Sequence, residues 1–145
     1  MGSVPIFTTA QDAENAFYES LERGDLDLMM AVWAEDEEIV CVHPAGVRIA
    51  GQEPVRESWR KIFASGQRLR VQIAQQVTLN GMMVAVHSVH EVITVVGERL
   101  ASPPIVATNV YLRTAAGWRM VVHHASPAPG PPEDAPAADP PKILH

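Results

Sequence analysis

The sequence predicts an α+β domain in which three N-terminal helices pack on one face of a curved antiparallel β-sheet. Apolar residues recur at helical spacing in the first half of the chain, and they alternate with polar residues from Arg68 onward. After Ser126 the composition changes to proline and alanine. We therefore divide the chain into a folded domain, residues 1–126, and a Pro/Ala-rich tail, residues 127–145, which has too few apolar residues to fold and is expected to be disordered.

The first half of the chain carries start and stop signals for three helices. Thr8 or Thr9 can cap the first helix, and Gly24 ends it. Asp25 caps a short second helix that is almost entirely apolar. Pro54 suits the first turn of a third helix. A short strand and a turn or small hairpin separate the second helix from the third.

Four longer strands follow, and we expect them to form an antiparallel meander beside the early short strand. Leu69, Val71 and Ile73 alternate with polar residues, and Asn80-Gly81 is typical of a hairpin turn. Two of the later strands are apolar on both faces, which is unusual for a sheet with one face in water. We therefore expect the helices to cover one face and a second copy of the chain, in a homodimer, to cover the other.

The composition argues against several classes of protein. Apolar residues make up 47% of the 145 residues and charged residues 19%, as in ordinary globular proteins. The N-terminal residues lack the basic region followed by an apolar one that is typical of a signal peptide, so we expect a cytoplasmic location. The net charge is −6 and no basic cluster is present, so nucleic acid is not an expected partner. No apolar run approaches the ~20 residues of a membrane span, so no membrane partner is expected. The only cysteine, Cys41, lies in an apolar run and should be a buried thiol.

Three stretches of the sequence resemble a known family. They are residues 24–51, the Ser-Trp and Ile-Phe pairs of the third helix, and the TNVYLR and AGWRMVVHHASP segments within residues 108–127. Together they resemble the SnoaL-like branch of the NTF2-like superfamily, which includes ketosteroid isomerase, over roughly residues 9–126. The resemblance implies a cone-shaped NTF2-like fold whose cavity would take a small apolar organic ligand.

The resemblance to ketosteroid isomerase implies roles for particular residues. His43, in a His-Pro-x-Gly turn, stands where the isomerase has its general-base aspartate, and Asn109 stands where it has an acid that donates to the oxyanion. Phe17 replaces the main oxyanion tyrosine, with Tyr18 beside it, and Trp59 replaces a further cavity tyrosine. Because a phenylalanine cannot donate a hydrogen bond, steroid isomerisation by the family's mechanism is not expected.

The strand pattern and the resemblance add further residues to the cavity lining. The predicted ligand-binding residues are Phe17, Tyr18, Trp59, His87, Tyr111, Val122 and His124. A strand register shifted by one residue would exchange His87 for His90, and His123 is expected to face a subunit interface or solvent. No HxH or HExxH spacing is present, so we expect neither a metal nor another cofactor. The spacing supports no Ser-His-Asp or Cys-His constellation either.

Two functions from different classes fit these residues. In the first, an isomerase, dehydratase or cyclase uses His43 as general base and Asn109 as oxyanion donor on an enolisable carbonyl compound. In the second, the domain is a non-catalytic ligand-binding or oligomerisation module, since VVHHASP also resembles the end of the association domain of calmodulin-dependent kinase. Each polar candidate also has a structural interpretation: His43 could close the cavity mouth, and Asn109 could bond a neighbouring strand.

Overall fold

The structure, a computed structural model, describes residues 4–99 and 102–129. Within them the chain forms three helices and six strands. In chain order these elements are α1 (Ala10–Arg23), α2 (Leu26–Val32), β1 (Val40–Val42), β2 (Arg48–Ala50), α3 (Gln52–Ala64), β3 (Leu69–Asn80), β4 (Val84–Val95), β5 (Ile105–Thr114) and β6 (Gly117–Pro127). The α+β class is confirmed, although the β1–β2 hairpin separates α3 from the first two helices.

The helix signals in the sequence correspond to contacts in the structure. Thr9 Oγ1 accepts a hydrogen bond of 3.0 Å from the backbone N–H of Asp12, which caps α1. Gly24 follows α1 with a φ of 65°, a left-handed conformation that glycine adopts without steric cost. The carboxylate of Asp25 accepts a 3.0 Å bond from the N–H of Leu28 and caps α2.

The strands form one sheet in the order β2-β1-β6-β5-β4-β3. The antiparallel meander predicted for β3 to β6 is confirmed. The expectation of a wholly antiparallel sheet is wrong, because β1 runs parallel to β6. Trp33, just after α2, already bridges Met120 of β6 in the parallel direction, so the chain enters β1 along the direction of β6. The sheet also has one strand more than expected, because the predicted hairpin supplies β2.

A bulge in β6 changes which side chains face the helices. Tyr111 pairs with Met120 and Val110 with Val122, so Val121 is an extra residue without a partner in β5. Beyond it, His123 turns inward and is 3% exposed, whereas His124 is exposed.

The predicted inward orientation of Val122 and His124, and the outward orientation of His123, are therefore wrong. Val122 pairs with Val110 on the outer face of the sheet. Without the bulge, side chains would alternate regularly from Met120, and Val122 and His124 would face inward as predicted.

The core lies between the helices and the inner face of the sheet, and none of the described elements covers the outer face. Phe17, Trp33 and Trp59 are at most 2% exposed. The uncovered side chains of the outer face include Val77, Leu79, Val84 and Leu112. None of the described helices is long and apolar enough to cross a membrane.

Most of the predicted tail lies outside the described residues, which end at residue 129. Its first residue, Pro127, is the last residue of β6, and the N–H of Ala128 donates to the carbonyl of Pro104 at 2.9 Å.

Candidate functional site

A buried network of polar side chains lies between α1 and the inner face of the sheet. Each of its members is at most 6% exposed. We call it the interior network, and its members are Glu14, Tyr18, His87, Glu91, Asn109, Tyr111 and His123. A single helix and three neighbouring strands supply these side chains. Because buried polar groups are costly unless they are bonded, the pairing of each member matters.

The carboxylate of Glu14 is the centre of one half of the interior network. Its Oε2 accepts hydrogen bonds from the hydroxyl of Tyr111 at 2.8 Å and from Nδ2 of Asn109 at 3.1 Å. Nδ1 of His87 lies 3.0 Å from the same oxygen. At the rim of the network, Gln76 of β3 donates from Nε2 to Oε1. The acceptor capacity of this carboxylate is thus largely used by the protein itself.

The carboxyl group of Glu91 is the centre of the other half. The hydroxyl of Tyr18 donates a 2.6 Å hydrogen bond to its Oε2. Burial raises the pKa of Glu91 to about 7, and the charge of Glu14 adds to this, although the bond from Tyr18 opposes it. Burial, with the charge of Glu91, raises the pKa of Tyr18 well above its usual value. Glu91 is therefore a group of the interior that can gain or lose a proton near neutral pH.

Asn109 joins the two halves and fixes the tautomer of His123. Its Nδ2 donates to Glu14 and, at 3.0 Å, to the hydroxyl oxygen of Tyr18. Its Oδ1 lies 2.6 Å from Nδ1 of His123. An amide oxygen only accepts, so Nδ1 of His123 carries the hydrogen and Nε2 does not. Burial lowers the pKa of His123 to about 3, which keeps the ring neutral.

His43 lies at the other side of the interior, in the turn after β1. It is half-buried, and burial lowers its pKa, so the ring is neutral at pH 7. Its Nε2 lies 3.0 Å from the hydroxyl of Ser58 on α3. Its ring meets the edge of Trp59 with centroids 4.6 Å apart, and Trp59 in turn lies 6.1 Å from His123. His43 and Asn109 are thus linked through the rings of Trp59 and His123.

A groove with a volume of about 390 Å³ runs between α1 and β3. Glu14 and Tyr18 line this groove and also belong to the interior network. Its other lining residues are Gln11, Asn15, Glu19, Glu22, Ile73 and Gln76. The groove is therefore polar and acidic, and it brings solvent close to one end of the network. It lies at the β3 edge of the sheet, four strands away from the β1 strand that precedes His43.

Comparison with known proteins decides the family. A family model described as a SnoaL-like domain matches residues 11–130. The chain belongs to the SnoaL-like domain family. None of the curated proteins compared with it matches.

Two solved structures illustrate what this SnoaL-like domain resembles. One is a putative calcium/calmodulin-dependent protein kinase type II association domain from Thiobacillus denitrificans, 42% identical, with a TM-score of 0.81 over 86% of this chain and 99% of that chain. The other is a putative dehydratase of the NTF2-like family from Streptomyces avermitilis, 30% identical, with a TM-score of 0.75 over 81% of this chain and 92% of that chain. The NTF2-like superfamily expected from the sequence is thereby confirmed.

The predicted site residues that this SnoaL-like domain buries form a polar group, within the interior network, and an aromatic group around Phe17. The inward positions of His87, Asn109 and Tyr111 are confirmed, and all three join Tyr18 in the interior network. Phe17 is fully buried against Tyr18, Trp59 and His123, with ring centroids 4.8, 5.6 and 4.8 Å apart, respectively. The ligand-binding roles of these residues stay predictions.

Glu14, Glu91 and Ser58 are polar contributors that the sequence reasoning missed. A signal for the first two was present: Glu14 is one helical turn before Tyr18, and Glu91 shares the alternating face of β4 with His87. In the part of the chain that the structure describes, no group of three or more His, Cys, Asp or Glu side chains is placed to hold a metal ion.

Proposed function

We propose that this SnoaL-like domain binds a small organic molecule against the inner face of its sheet and catalyses proton transfer on it, with His43 as the general base. The observation that carries the proposal is the half-buried, neutral ring of His43, which is held against Trp59 and bonded to Ser58. A neutral imidazole is the form that accepts a proton. Isomerisation, dehydration and cyclisation of an enolisable carbonyl compound all begin with such a step, and the 30% identity to a putative dehydratase supports this class.

The oxyanion donor in this proposal is Asn109, and the substrate oxygen has to displace one of its present partners. Both N–H groups of Asn109 are already donating, one to Glu14 and one to Tyr18. An oxyanion is a stronger acceptor than a neutral phenol oxygen, so we propose that it takes the place of Tyr18. Tyr18 also brings into the interior the hydroxyl that Phe17 lacks. Phe17, Trp59, His87 and Tyr111 complete the proposed binding residues.

The decisive experiment is a turnover assay with a panel of small enolisable ketones and β-hydroxy ketones. We expect His43→Ala to lower kcat by about 100-fold or more, which is the usual contribution of a general base. His124→Ala is the matched control, because His124 follows His123 on β6 yet is exposed on the outer face. Both variants would be checked for folding by circular dichroism. Wild-type protein that is inert towards the whole panel, or His43→Ala with full activity, would refute the catalytic proposal.

A second candidate function is assembly, and the outer face of the sheet favours it. Val77 and Leu79 are 65% and 70% exposed, and Val84 and Leu112 beside them are 43% and 36% exposed. Exposed apolar patches of this kind mark interaction surfaces. The 42% identity to a putative association domain supports the same function. We propose that a second copy of the chain covers this face in a homodimer.

The assembly proposal is tested by the mass of the particle in solution. The chain has a mass of 15.8 kDa, and light scattering should give about twice this value. Leu79→Lys should convert the particle to a monomer because it puts a charge into the apolar patch. Val4→Lys is the control, since Val4 is 58% exposed but lies before α1 and belongs to none of the strands. A monomeric wild-type protein would refute the proposal.

A further inference from the structure

The hydroxyl of Ser58 has a fixed direction. It donates a 2.7 Å hydrogen bond to the carbonyl oxygen of Val55, three residues earlier in α3. A serine hydroxyl has only one hydrogen. Towards Nε2 of His43, which lies 3.0 Å away, the oxygen of Ser58 can therefore act only as an acceptor. With the hydroxyl in this orientation, Nε2 of His43 is the nitrogen placed to donate, and Nδ1 keeps its lone pair.

Further contacts restrain the ring of His43. The sulfur of Cys41 also lies near Nε2, at 3.7 Å, and burial raises the pKa of this thiol to about 12. A neutral thiol can either donate or accept, so the bond to Ser58 decides the tautomer. The turn is closed by a 2.7 Å bond from the N–H of Gly46 to the carbonyl of His43, and the edge-on contact with Trp59 restrains the ring. The ring is thus held by its turn, by Trp59 and by Ser58.

We propose that Ser58 is a positioning residue that fixes His43 as the Nε2–H tautomer and leaves Nδ1 as its basic nitrogen. The proposal rests on the proposed function in one respect, namely that a proton removed from the substrate would go to Nδ1. A histidine base has one lone pair in its neutral form, and the bond made by the other nitrogen decides where that lone pair lies. Ser58 makes that bond and has no direct part in the reaction.

A different role for the Ser58–His43 pair would be a nucleophilic serine activated by a histidine. Such a serine must donate its hydrogen to the histidine nitrogen that activates it. Here the hydrogen of Ser58 goes to Val55, which leaves its oxygen as an acceptor towards Nε2 of His43, 3.0 Å away. The geometry favours positioning, and the nucleophile becomes an outcome of the test.

The tautomer can be measured without any substrate. Long-range ¹H–¹⁵N correlation spectra of the full chain, labelled with ¹⁵N, distinguish a protonated ring nitrogen from an unprotonated one in each histidine. The signals of His43 are assigned by their loss in His43→Ala. We expect an Nε2–H ring in the wild-type protein and a mixture of tautomers in Ser58→Ala. Ser58→Thr keeps the hydroxyl and should restore the wild-type spectrum.

Ser65→Ala is the matched control, because Ser65 follows the same helix and its hydroxyl accepts only from the backbone of Gln67 among its described bonds. This variant should leave the spectrum of His43 unchanged. With a ketone that turns over, Ser58→Ala should lower kcat about 5-fold, the effect of one lost hydrogen bond, and leave KM unchanged. Ser58→Thr should recover most of this loss.

Three results would overturn the proposal. They are an Nδ1–H ring in the wild-type protein, an unchanged tautomer in folded Ser58→Ala, and covalent labelling of Ser58 by a sulfonyl fluoride. The first of these needs no variant of Ser58, so a failure of Ser58→Ala to fold would not protect the proposal. Absence of turnover would refute the proposed function of the domain, whereas the spectra decide separately whether Ser58 sets the tautomer.

Discussion

Replacing Glu91 with glutamine should make the protein more stable above neutral pH and leave its stability at pH 5 nearly unchanged. Glu91 is 2% exposed, and burial raises its pKa to about 7 from a reference value of 4.5. The folded state therefore holds this proton more tightly than the unfolded state does. Stability contributed by the protonated group is fully present below pH 4.5, and it is lost as the pH rises towards and through 7. Glutamine stays neutral at every pH, and its carbonyl can still accept the bond from Tyr18.

The size of the effect follows from the two pKa values. The difference between about 7 and 4.5 corresponds to about 3 kcal/mol of stability lost on ionisation. Because Glu91 is almost completely buried, solvent screening should reduce this figure only slightly. We therefore expect the free energy of unfolding of Glu91→Gln, relative to wild type, to increase by about 2–3 kcal/mol between pH 5 and pH 8.

Urea unfolding followed by tryptophan fluorescence at pH 5, 6, 7 and 8 measures this difference. Glu98→Gln is the control, since Glu98 is exposed in the loop after β4 and should give the same pH dependence as wild type. Comparing each variant with wild type at the same pH removes the contributions of the other titrating groups. If Glu91→Gln and wild type ran parallel from pH 5 to pH 8, the buried, readily protonated carboxyl group would be ruled out.

Two further predictions concern His123 and Gly117. The pKa of His123 falls from 6.5 to about 3 in the fold, so its contribution to stability is lost as the pH drops below 6.5. His123→Asn keeps a donor for Asn109 and should lose about 3 kcal/mol less unfolding free energy than wild type between pH 7 and pH 4. Urea titrations measure this difference, and equal losses in the variant and the wild type would contradict the prediction. Gly117 has a φ of 94° and a Cβ there would lie 2.8 Å from the carbonyl oxygen of Phe7, so Gly117→Ala should lower stability by about 2–4 kcal/mol. Gly97→Ala, with a φ of 96° but open space around it, should cost less, and equal shifts in Tm would show that the clash is unimportant.

The local signals in the sequence were sufficient for most of the elements. The caps at Thr9 and Asp25, the stop at Gly24 and the alternation along β3 to β6 act within a few residues, so each could be identified without the rest of the chain. The parallel pairing of β1 with β6 joins segments about 80 residues apart, such as Val42 and His124. A three-residue strand carries too little pattern to specify such a partner.

The candidate site was harder to predict because two of its determinants leave little trace in the sequence. The bulge at Val121 has neither a glycine nor an asparagine to mark it, yet it exchanges the faces of His123 and His124. Glu14 and Glu91 are buried carboxylates, and glutamate is rarely buried unless it is paired. The partners of these two carboxylates lie on elements distant in sequence. Their burial could therefore not be predicted without knowing which strands and helix come together.

The interior network also has a consequence for how α1 is seated on the sheet. Glu14 and Tyr18 lie one helical turn apart, and they bond to side chains of β4 and β5 at fixed heights along those strands. An apolar helix face can slide or rotate by a residue and still find apolar neighbours. Glu14 and Tyr18 cannot do so, because a shift would break the bond to Glu91 and leave Nδ2 of Asn109 without its two acceptors in a dry interior. We therefore expect the network to fix the position and rotation of α1 on the sheet, because every neighbouring placement would cost buried hydrogen bonds.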